Sequence, residues 1–300
     1  MVDMRVDLAG VALSNPIVSA SGTFGFGREY ARFYALGELG AVSAKGLTLH
    51  GRPGNPGPRI AETPSGMLNS VGLQNPGVEG FLREELPWLK EQGTKLIVNL
   101  SAGTVEEFAQ MAEMLSVEGV DLLEVNISCP NVKCGGMAFG MDPDQAYAIT
   151  RKVVEASAHP IVAKLTPNAP DLVAVARACE EAGAAGLSLI NTIQGMAVDV
   201  DKKRIVFDNV YAGLSGPAVK PIALRMAHQV IHAVKIPVMA LGGIATWRDA
   251  LEFIMVGAAC VQVGTMSFVA PTAAVDIVDG LEQYCADQGL ANIDEVRGIL

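Results

Sequence analysis

The sequence predicts an α/β fold: a closed (β/α)8 barrel of the TIM type, with an N-terminal β-hairpin and long insertions on one rim. Three observations carry this expectation. Short runs rich in Val, Ile and Leu recur eight times, each followed by a stretch with helical spacing, and such alternation builds a parallel sheet. The runs are apolar throughout rather than at every second residue, as strands covered on both faces require. Eight such units fit a chain of 300 residues as one domain, 1–300. A doubly wound open sheet is the other architecture that the alternation allows.

Residues 5–13, Arg-Val-Asp-Leu-Ala-Gly-Val-Ala-Leu, read as a hairpin able to close the barrel bottom. Strands are expected over 16–20, 41–45, 95–100, 122–127, 161–165, 186–191, 238–241 and 260–263. Helices are expected over 78–92, 105–117, 143–156, 171–182, 218–234, 247–256 and 272–288, while the helix of the first unit is weak. Two connections exceed plain turns. Residues 48–77 are dense in Gly and Pro, and 192–217 hold a hairpin, 197–200 against 204–207, around Asp201-Lys202-Lys203. Both follow strands and so belong to the C-terminal rim, where barrel active sites are built. Long ordered loops there are usually functional, the other reading being a decorative insertion or an oligomer contact.

Composition narrows the classes. Hydrophobic residues make up 50% of the chain, which excludes disorder. With 22 basic against 32 acidic residues the formal charge is −10, which repels polyphosphate at long range and argues against nucleic acid as a partner. The uncharged stretch 253–275 is interrupted by Gly257, Gln262, Gly264, Thr265, Ser267 and Pro271, and reads as helix end, strand, turn and helix rather than a membrane span. Cys129, Cys134, Cys179, Cys260 and Cys285 are odd in number and scattered, a pattern of reduced thiols rather than a disulfide framework. The start, MVDMRVDLAG, lacks the pattern of a signal peptide, and a cytoplasmic location is expected.

The strand ends carry the chemistry. The last two runs finish in Leu-Gly242-Gly243-Ile and Val-Gly264-Thr265-Met, where glycines let backbone N–H groups approach a phosphate and a following helix start adds partial positive charge. Tight barrel turns need glycine too, yet two such corners at consecutive strands favour phosphate. Ser19, Ser21, Lys45, Asn99, Asn126, Lys164 and Asn191-Thr192 put polar groups on the other strands. Lysine is rarely buried alone, so Lys45 and Lys164 point to an anionic or electron-rich ligand, or one of them to a core carboxylate such as Glu124. After the fourth strand comes Glu124-Val-Asn-Ile-Ser-Cys129-Pro-Asn-Val-Lys-Cys134-Gly-Gly. A thiol beside Asn131 and Lys133 suits a base or nucleophile, since such neighbours favour thiolate. A metal or disulfide pair with Cys134 is the alternative, but the spacing is not a zinc clasp and no further ligands complete a tetrahedron; no metal is expected. Cys179, Cys260 and Cys285 read as small core hydrophobes. His228 and His232 lie four apart without the metalloprotease glutamate and read as surface or packing residues; His50 and His159 belong to no constellation.

Together these residues resemble the dihydroorotate dehydrogenases, FMN-binding barrels of pyrimidine synthesis, over essentially the whole chain. Asn126-Ile-Ser-Cys129-Pro-Asn131 is similar to their active-site loop. Ser-Ala-Ser21-Gly-Thr, Lys45-Gly-Leu-Thr, Asn69-Ser-Val-Gly-Leu73, Val-Asn99-Leu-Ser, Lys164-Leu-Thr, Ile190-Asn191-Thr192, Leu-Ser-Gly216-Pro, Gly242-Gly243-Ile and Gly264-Thr265 follow in the family's order. Cysteine in the loop resembles class 1, because the membrane-associated class 2 carries serine there. The continuation Val132-Lys133-Cys134-Gly-Gly resembles class 1B, whose catalytic chain pairs with an iron–sulfur/FAD subunit and passes electrons to NAD.

The resemblance implies that Cys129 takes the C5 proton of dihydroorotate while hydride leaves C6 for flavin N5. It implies that Ser21, Lys45, Gly46, Asn99, Asn126, Lys164, Ile190 and Gly216 contact FMN, with Gly242, Gly243, Gly264 and Thr265 on its phosphate. Lys45, Asn69, Ser70, Val71, Gly72, Leu73, Asn126, Asn191 and Thr192 would hold the pyrimidine and its carboxylate. A homodimer within a heterotetramer is implied, FAD and a 2Fe-2S cluster residing on the partner subunit. Other readings are a fumarate-reducing class 1A enzyme, a dihydropyrimidine dehydrogenase, a chain that only carries flavin, and a Schiff-base lyase using Lys45 or Lys164 on the same barrel.

Overall fold

The computed structural model describes residues 2–127 and 139–300. Its centre is a closed ring of parallel strands: β1 (Ile17–Ser19), β2 (Ala41–Leu47), β3 (Lys95–Leu100), β4 (Leu122–Asn126), β5 (Ile161–Lys164), β6 (Gly186–Leu189), β7 (Val238–Leu241) and β8 (Cys260–Val263). Each strand pairs with its sequence neighbours, and Val261↔Ile17 and Gln262↔Val18 close the ring between β8 and β1. The closed ring settles the choice against an open sheet. Every residue of β6, β7 and β8 is buried, as the unbroken apolar runs foretell.

Helices at Val105–Met114, Pro143–Ala156, Leu172–Glu181, Lys220–Ile231, Trp247–Met255 and Ala273–Asp287 surround the ring. Local chemistry fixes where several begin. The side chains of Thr104, Asp142, Asp171 and Thr246 accept from backbone N–H groups of the first turn, replacing bonds that a helix start lacks. The helix expected over 78–92 is instead three joined pieces, Gly77–Gly80, Phe81–Glu85 and Leu86–Lys90, the middle one a π-turn ahead of Pro87. Proline has no N–H to give the preceding turn, so the irregularity falls where a regular helix would need that bond. The weak first helix is a single turn, Ser21–Phe24, followed by two 3-10 turns.

At the N-terminal end, Val6–Leu8 and Val11–Leu13 form the expected hairpin. Leu8 and Leu13 are buried, and Ala9 at the turn lies 3.6 Å from the place a Cβ on Gly186 would occupy, at the start of β6. The hairpin therefore plugs the bottom of the ring. Stretch 253–275 resolves into helix end, strand and helix as expected, and among the described residues no helix is long and apolar enough to cross a membrane.

The C-terminal rim holds what the sequence did not disclose. The hairpin around Asp201-Lys202-Lys203 forms, though shorter than expected, with Val198↔Ile205 and Asp199↔Arg204. The two long insertions also pair with each other. Ile60–Thr63, Gly66–Asn69, Tyr211–Ser215 and Ile193–Met196 make one antiparallel sheet, joined by Gly213↔Asn69, Leu214↔Leu68 and Ser215↔Met67. The insertions leave from β2 and β6, which stand opposite in a ring of eight, so the sheet bridges the barrel mouth. The insertions share a small core of Leu68, Phe207 and Ala212.

Candidate active site

The barrel mouth is built by strand ends beneath that bridging sheet. On β2 the ladder with β3 shifts register between Ala44 and Leu47, so Lys45 and Gly46 sit in an irregularity of the kind that re-aims side chains. The Lys45 N–H donates to Gly25 O at 2.8 Å instead. A Cβ on Gly46 would stand 2.6 Å from Asn99 Oδ1, so only glycine lets the Asn99 amide approach β2. Lys45 is half-buried, and among the described residues no carboxylate lies within ion-pair reach of it. Burial alone pushes its pKa below the usual 10.5, as for an ammonium that no counter-charge among the described residues offsets.

Below this level the interior is polar across five strands. Glu124 on β4 is fully buried and accepts from Asn99 Nδ2 at 2.6 Å, Ser188 Oγ at 2.7 Å, Gln262 Nε2 at 3.2 Å and Lys164 Nζ at 3.3 Å. The expectation that one lysine pairs with a core carboxylate holds for Lys164 and not for Lys45. Asn126 stands in register with Lys164 on the neighbouring strand. Ser19 Oγ accepts from the Ser43 N–H at 3.0 Å, while the buried Ser43 and Ser101 hydroxyls have no partner among the described residues. Ser21 is buried at the first turn after β1. Ile190 is buried past the end of β6, its N–H donating to Leu241 O at 2.9 Å, and the Leu189–Ile190 peptide is cis. Asn191 and Thr192 continue toward the bridging sheet, where the Thr192 N–H donates to Asn191 Oδ1 at 2.8 Å.

The glycine corners need a different account from the one composition suggests. Gly243 has φ +76°, and a Cβ there would meet the Lys220 backbone N at 2.7 Å; a Cβ on Gly242 would meet Ala223 Cβ at 2.6 Å. Helix Lys220–Ile231 packs directly on this corner, so close packing already demands glycine. Lys220 ties that helix to the next one through Asp249 (2.7 Å) and Glu252 (2.8 Å). The corners still present donors: the N–H groups of Gly242, Gly243, Gly264 and Thr265 find no acceptor among the described residues. Four half-exposed amides at the ends of β7 and β8 suit an anion such as phosphate. The Thr265 hydroxyl donates to Ser215 Oγ at 2.8 Å, and Gly216, with φ +97°, follows that serine out of the bridging sheet.

Asn69–Leu73 is a strap that leaves the bridging sheet from the end of its Gly66–Asn69 strand, and its support is absent from the residues singled out in the sequence. Asn69 Nδ2 donates to Gly213 O at 3.2 Å. Asn55 Nδ2 donates to Ser70 O at 3.0 Å and to Ser70 Oγ at 3.1 Å, while its N–H donates to Val71 O at 2.9 Å. Asn209 from the second insertion reaches Ser70 Oγ at 3.2 Å. Arg59 gathers Asn55 O, Pro53 O and Gln74 Oε1, and Asn75 Nδ2 holds Leu73 O at 2.6 Å. Gly72 and Leu73 both have positive φ, so the strap turns away at its end. The signal available in sequence was a run of Asn and Gly between prolines, which names a turn without naming its clamps.

Cys129 lies outside the described residues, as do Asn131, Lys133 and Cys134. Cys179, Cys260 and Cys285 are buried as expected of core hydrophobes, and burial raises the Cys260 thiol to about 12. The His228 and His232 rings lie 4.1 Å apart with His232 Nδ1 against His228 O at 2.8 Å. Among the described residues no group of three or more His, Cys, Asp or Glu could hold a metal ion.

Comparison with known proteins adds identity to geometry. The family model described as dihydroorotate dehydrogenase matches residues 3–285. Proteins named dihydroorotate dehydrogenase B (NAD(+)), catalytic subunit, are similar along their length. That of Thermoanaerobacter pseudethanolicus is 50% identical over 299 residues, covering 100% of this chain and 99% of the relative. That of Geobacter sulfurreducens is 51% identical (99% and 98% covered), and that of Petrotoga mobilis 47% identical with both chains fully covered.

Proposed function

The chain belongs to the dihydroorotate dehydrogenase family, and from that premise we propose that it oxidises (S)-dihydroorotate to orotate in pyrimidine synthesis, using FMN. The observation that carries the reading is the donor set of one rim: among the described residues, an ammonium without a carboxylate at Lys45 and four unpartnered N–H groups at the ends of β7 and β8. These residues fit FMN. The amide corners suit its phosphate, and Lys164, Asn99 and Asn126 suit a ring edge of alternating carbonyl and N–H groups. Ser21, Gly46, Ile190 and Gly216 would complete its contacts.

Oxidation removes a proton from C5 and a hydride from C6. Cys129 takes the proton, Asn126 orients the ring, and Lys45 meets the substrate carboxylate with the strap Asn69–Leu73, Asn191 and Thr192 around it. When bound, FMN supplies the hydride acceptor and the route for electrons onward. A protonated Lys164 favours the negative charge that reduction brings. The bridging sheet excludes bulk water above. We further propose one domain over the whole chain, a cytoplasmic homodimer, and an electron-transfer partner bearing FAD and a 2Fe-2S cluster that delivers electrons to NAD. The names of the relatives, a catalytic subunit and NAD(+), support the partner and the acceptor.

Anaerobic addition of dihydroorotate to the purified flavin-loaded chain tests this: the flavin absorbance should fall, and NAD with the partner subunit should restore it. Restoration by fumarate alone would reassign the acceptor. A yellow protein that dihydroorotate leaves unbleached sinks the proposal, and turnover of a dihydropyrimidine or borohydride trapping at a lysine would name its replacement.

A further inference from the structure

Under the polar rim lies a carboxylate for which the reaction has no direct use. Glu124 is fully buried, and β3, β5, β6 and β8 each send a donor to it, at 2.6 to 3.3 Å. Among the described residues Lys164 Nζ has one other partner, Gln262 Oε1 at 3.5 Å. An apolar barrel interior would be simpler to build, and a buried pair seldom stabilises beyond a packed apolar one, so stability alone explains this cluster poorly.

We propose that Glu124 is a positioning residue that keeps Lys164 protonated and fixes Lys164 and Asn99 against the flavin, so that the flavin's reduction equilibrium depends on Glu124 through Lys164. The inference rests on the FMN reading above. No other described group can take the part. Asn99 on β3, Ser188 on β6 and Gln262 on β8 are neutral, and the Cys260 thiol, also on β8, is held neutral by burial up to about 12. Lys45 on β2 is a second cation, not a counter-charge. Among the described residues Glu124 is the one carboxylate within ion-pair distance of Lys164.

A buried ammonium deprived of its counter-charge gives up its proton. On this proposal, with the Glu124 carboxylate 3.3 Å from Nζ, the native amine has no proton to take up on reduction, so two electrons bring protons to the flavin alone. In Glu124→Gln the amine is neutral beside oxidised flavin. When two electrons arrive, the negative charge on the reduced ring replaces the missing carboxylate, and the amine draws one proton from solvent.

The test is the midpoint potential of the flavin-loaded chain across the neutral-to-alkaline range, by dithionite titration with a reference dye. Glu124→Gln should retain FMN and take up one more proton per two electrons than the native enzyme. In a Lys164→Gln background the same change should add nothing. Equal proton uptake in native and Glu124→Gln enzyme overturns the proposal, as does an effect that survives without Lys164. If Glu124→Gln does not accumulate as folded protein, Glu124→Asp, which draws the carboxylate back by one methylene, should shift uptake in the same direction; an unshifted value again overturns it. A native chain that binds no flavin refutes the FMN reading, whereas flavin bound with unchanged proton uptake refutes only the role of Glu124.

Discussion

Replacing Lys164 by methionine isolates the cost of the buried carboxylate. Glu124 and Lys164 have side-chain exposures of 0% and 5%, so water cannot take over the lost contact. Breaking such a pair typically costs about 3–5 kcal/mol. Methionine fills the space of the lysine stem, and Asn99, Ser188 and Gln262 still donate to the carboxylate. The expected loss therefore lies at the low end, about 3 kcal/mol, equivalent to roughly two pK units. The pH dependence has a definite sign. The stranded carboxylate escapes its cost by holding a proton in the folded variant, whereas in the unfolded chain it ionises near the usual value of about 4.3. The folded variant then binds more protons, so its deficit grows as pH rises above that value and vanishes below it. Urea unfolding at neutral and acid pH measures this, with Glu124→Gln/Lys164→Met regaining most of the loss. A deficit under about 1 kcal/mol, of the size of a surface pair, would refute the reasoning, as would one independent of pH or a double variant no better than the single.

Three further outcomes are expected. Burial holds the Lys45 pKa below 10.5, so orotate affinity measured by calorimetry should be full below that depressed value and fall as pH rises through it, while Lys45→Arg flattens the profile; the ligand-free fold, conversely, should gain stability with rising pH in the same window, because the unfolded amine binds the proton more tightly. Asn55→Ala removes two hydrogen bonds to Ser70, at 3.0 and 3.1 Å; at about 1 kcal/mol each, KM for dihydroorotate should rise about tenfold or more with kcat little changed, and an unaltered KM would show that Asn55 does not hold the strap. Cys129→Ser should keep its FMN while anaerobic flavin reduction slows by about 10²–10⁴, and native rates would remove Cys129 from the mechanism.

The barrel was readable because burial on both faces writes itself into a strand as an unbroken apolar run, as in Leu122-Leu123-Glu124-Val125, where a lone acid among hydrophobes also betrays a paired group. The polar strand ends were readable for the same reason, as exceptions to their surroundings. The bridging sheet was not. Its central contact joins Asn69 to Gly213, residues 144 apart in sequence, through two segments whose Gly and Pro content resembles plain loop. Neither segment carries the alternation of a strand with a large dry face, because the shared cluster is small: Leu68, Phe207 and Ala212 are buried, with Ala61, Ala197, Val206 and Leu214 half-buried against them. The clamps Asn55, Arg59 and Asn209 were hidden likewise, since their partners are backbone oxygens, one serine hydroxyl and the Gln74 amide oxygen, none of which forms a recognisable motif.

That cross-mouth pairing ties the fate of two distant stretches of chain together. Transplanting residues 48–77 from a relative without 192–217 would mate a strand edge with a partner of foreign register, and one slipped residue would turn Leu68 from its dry pocket to the solvent side. The two insertions behave as a single cassette, exchangeable between homologues only as a matched set, although more than a third of the polypeptide separates them.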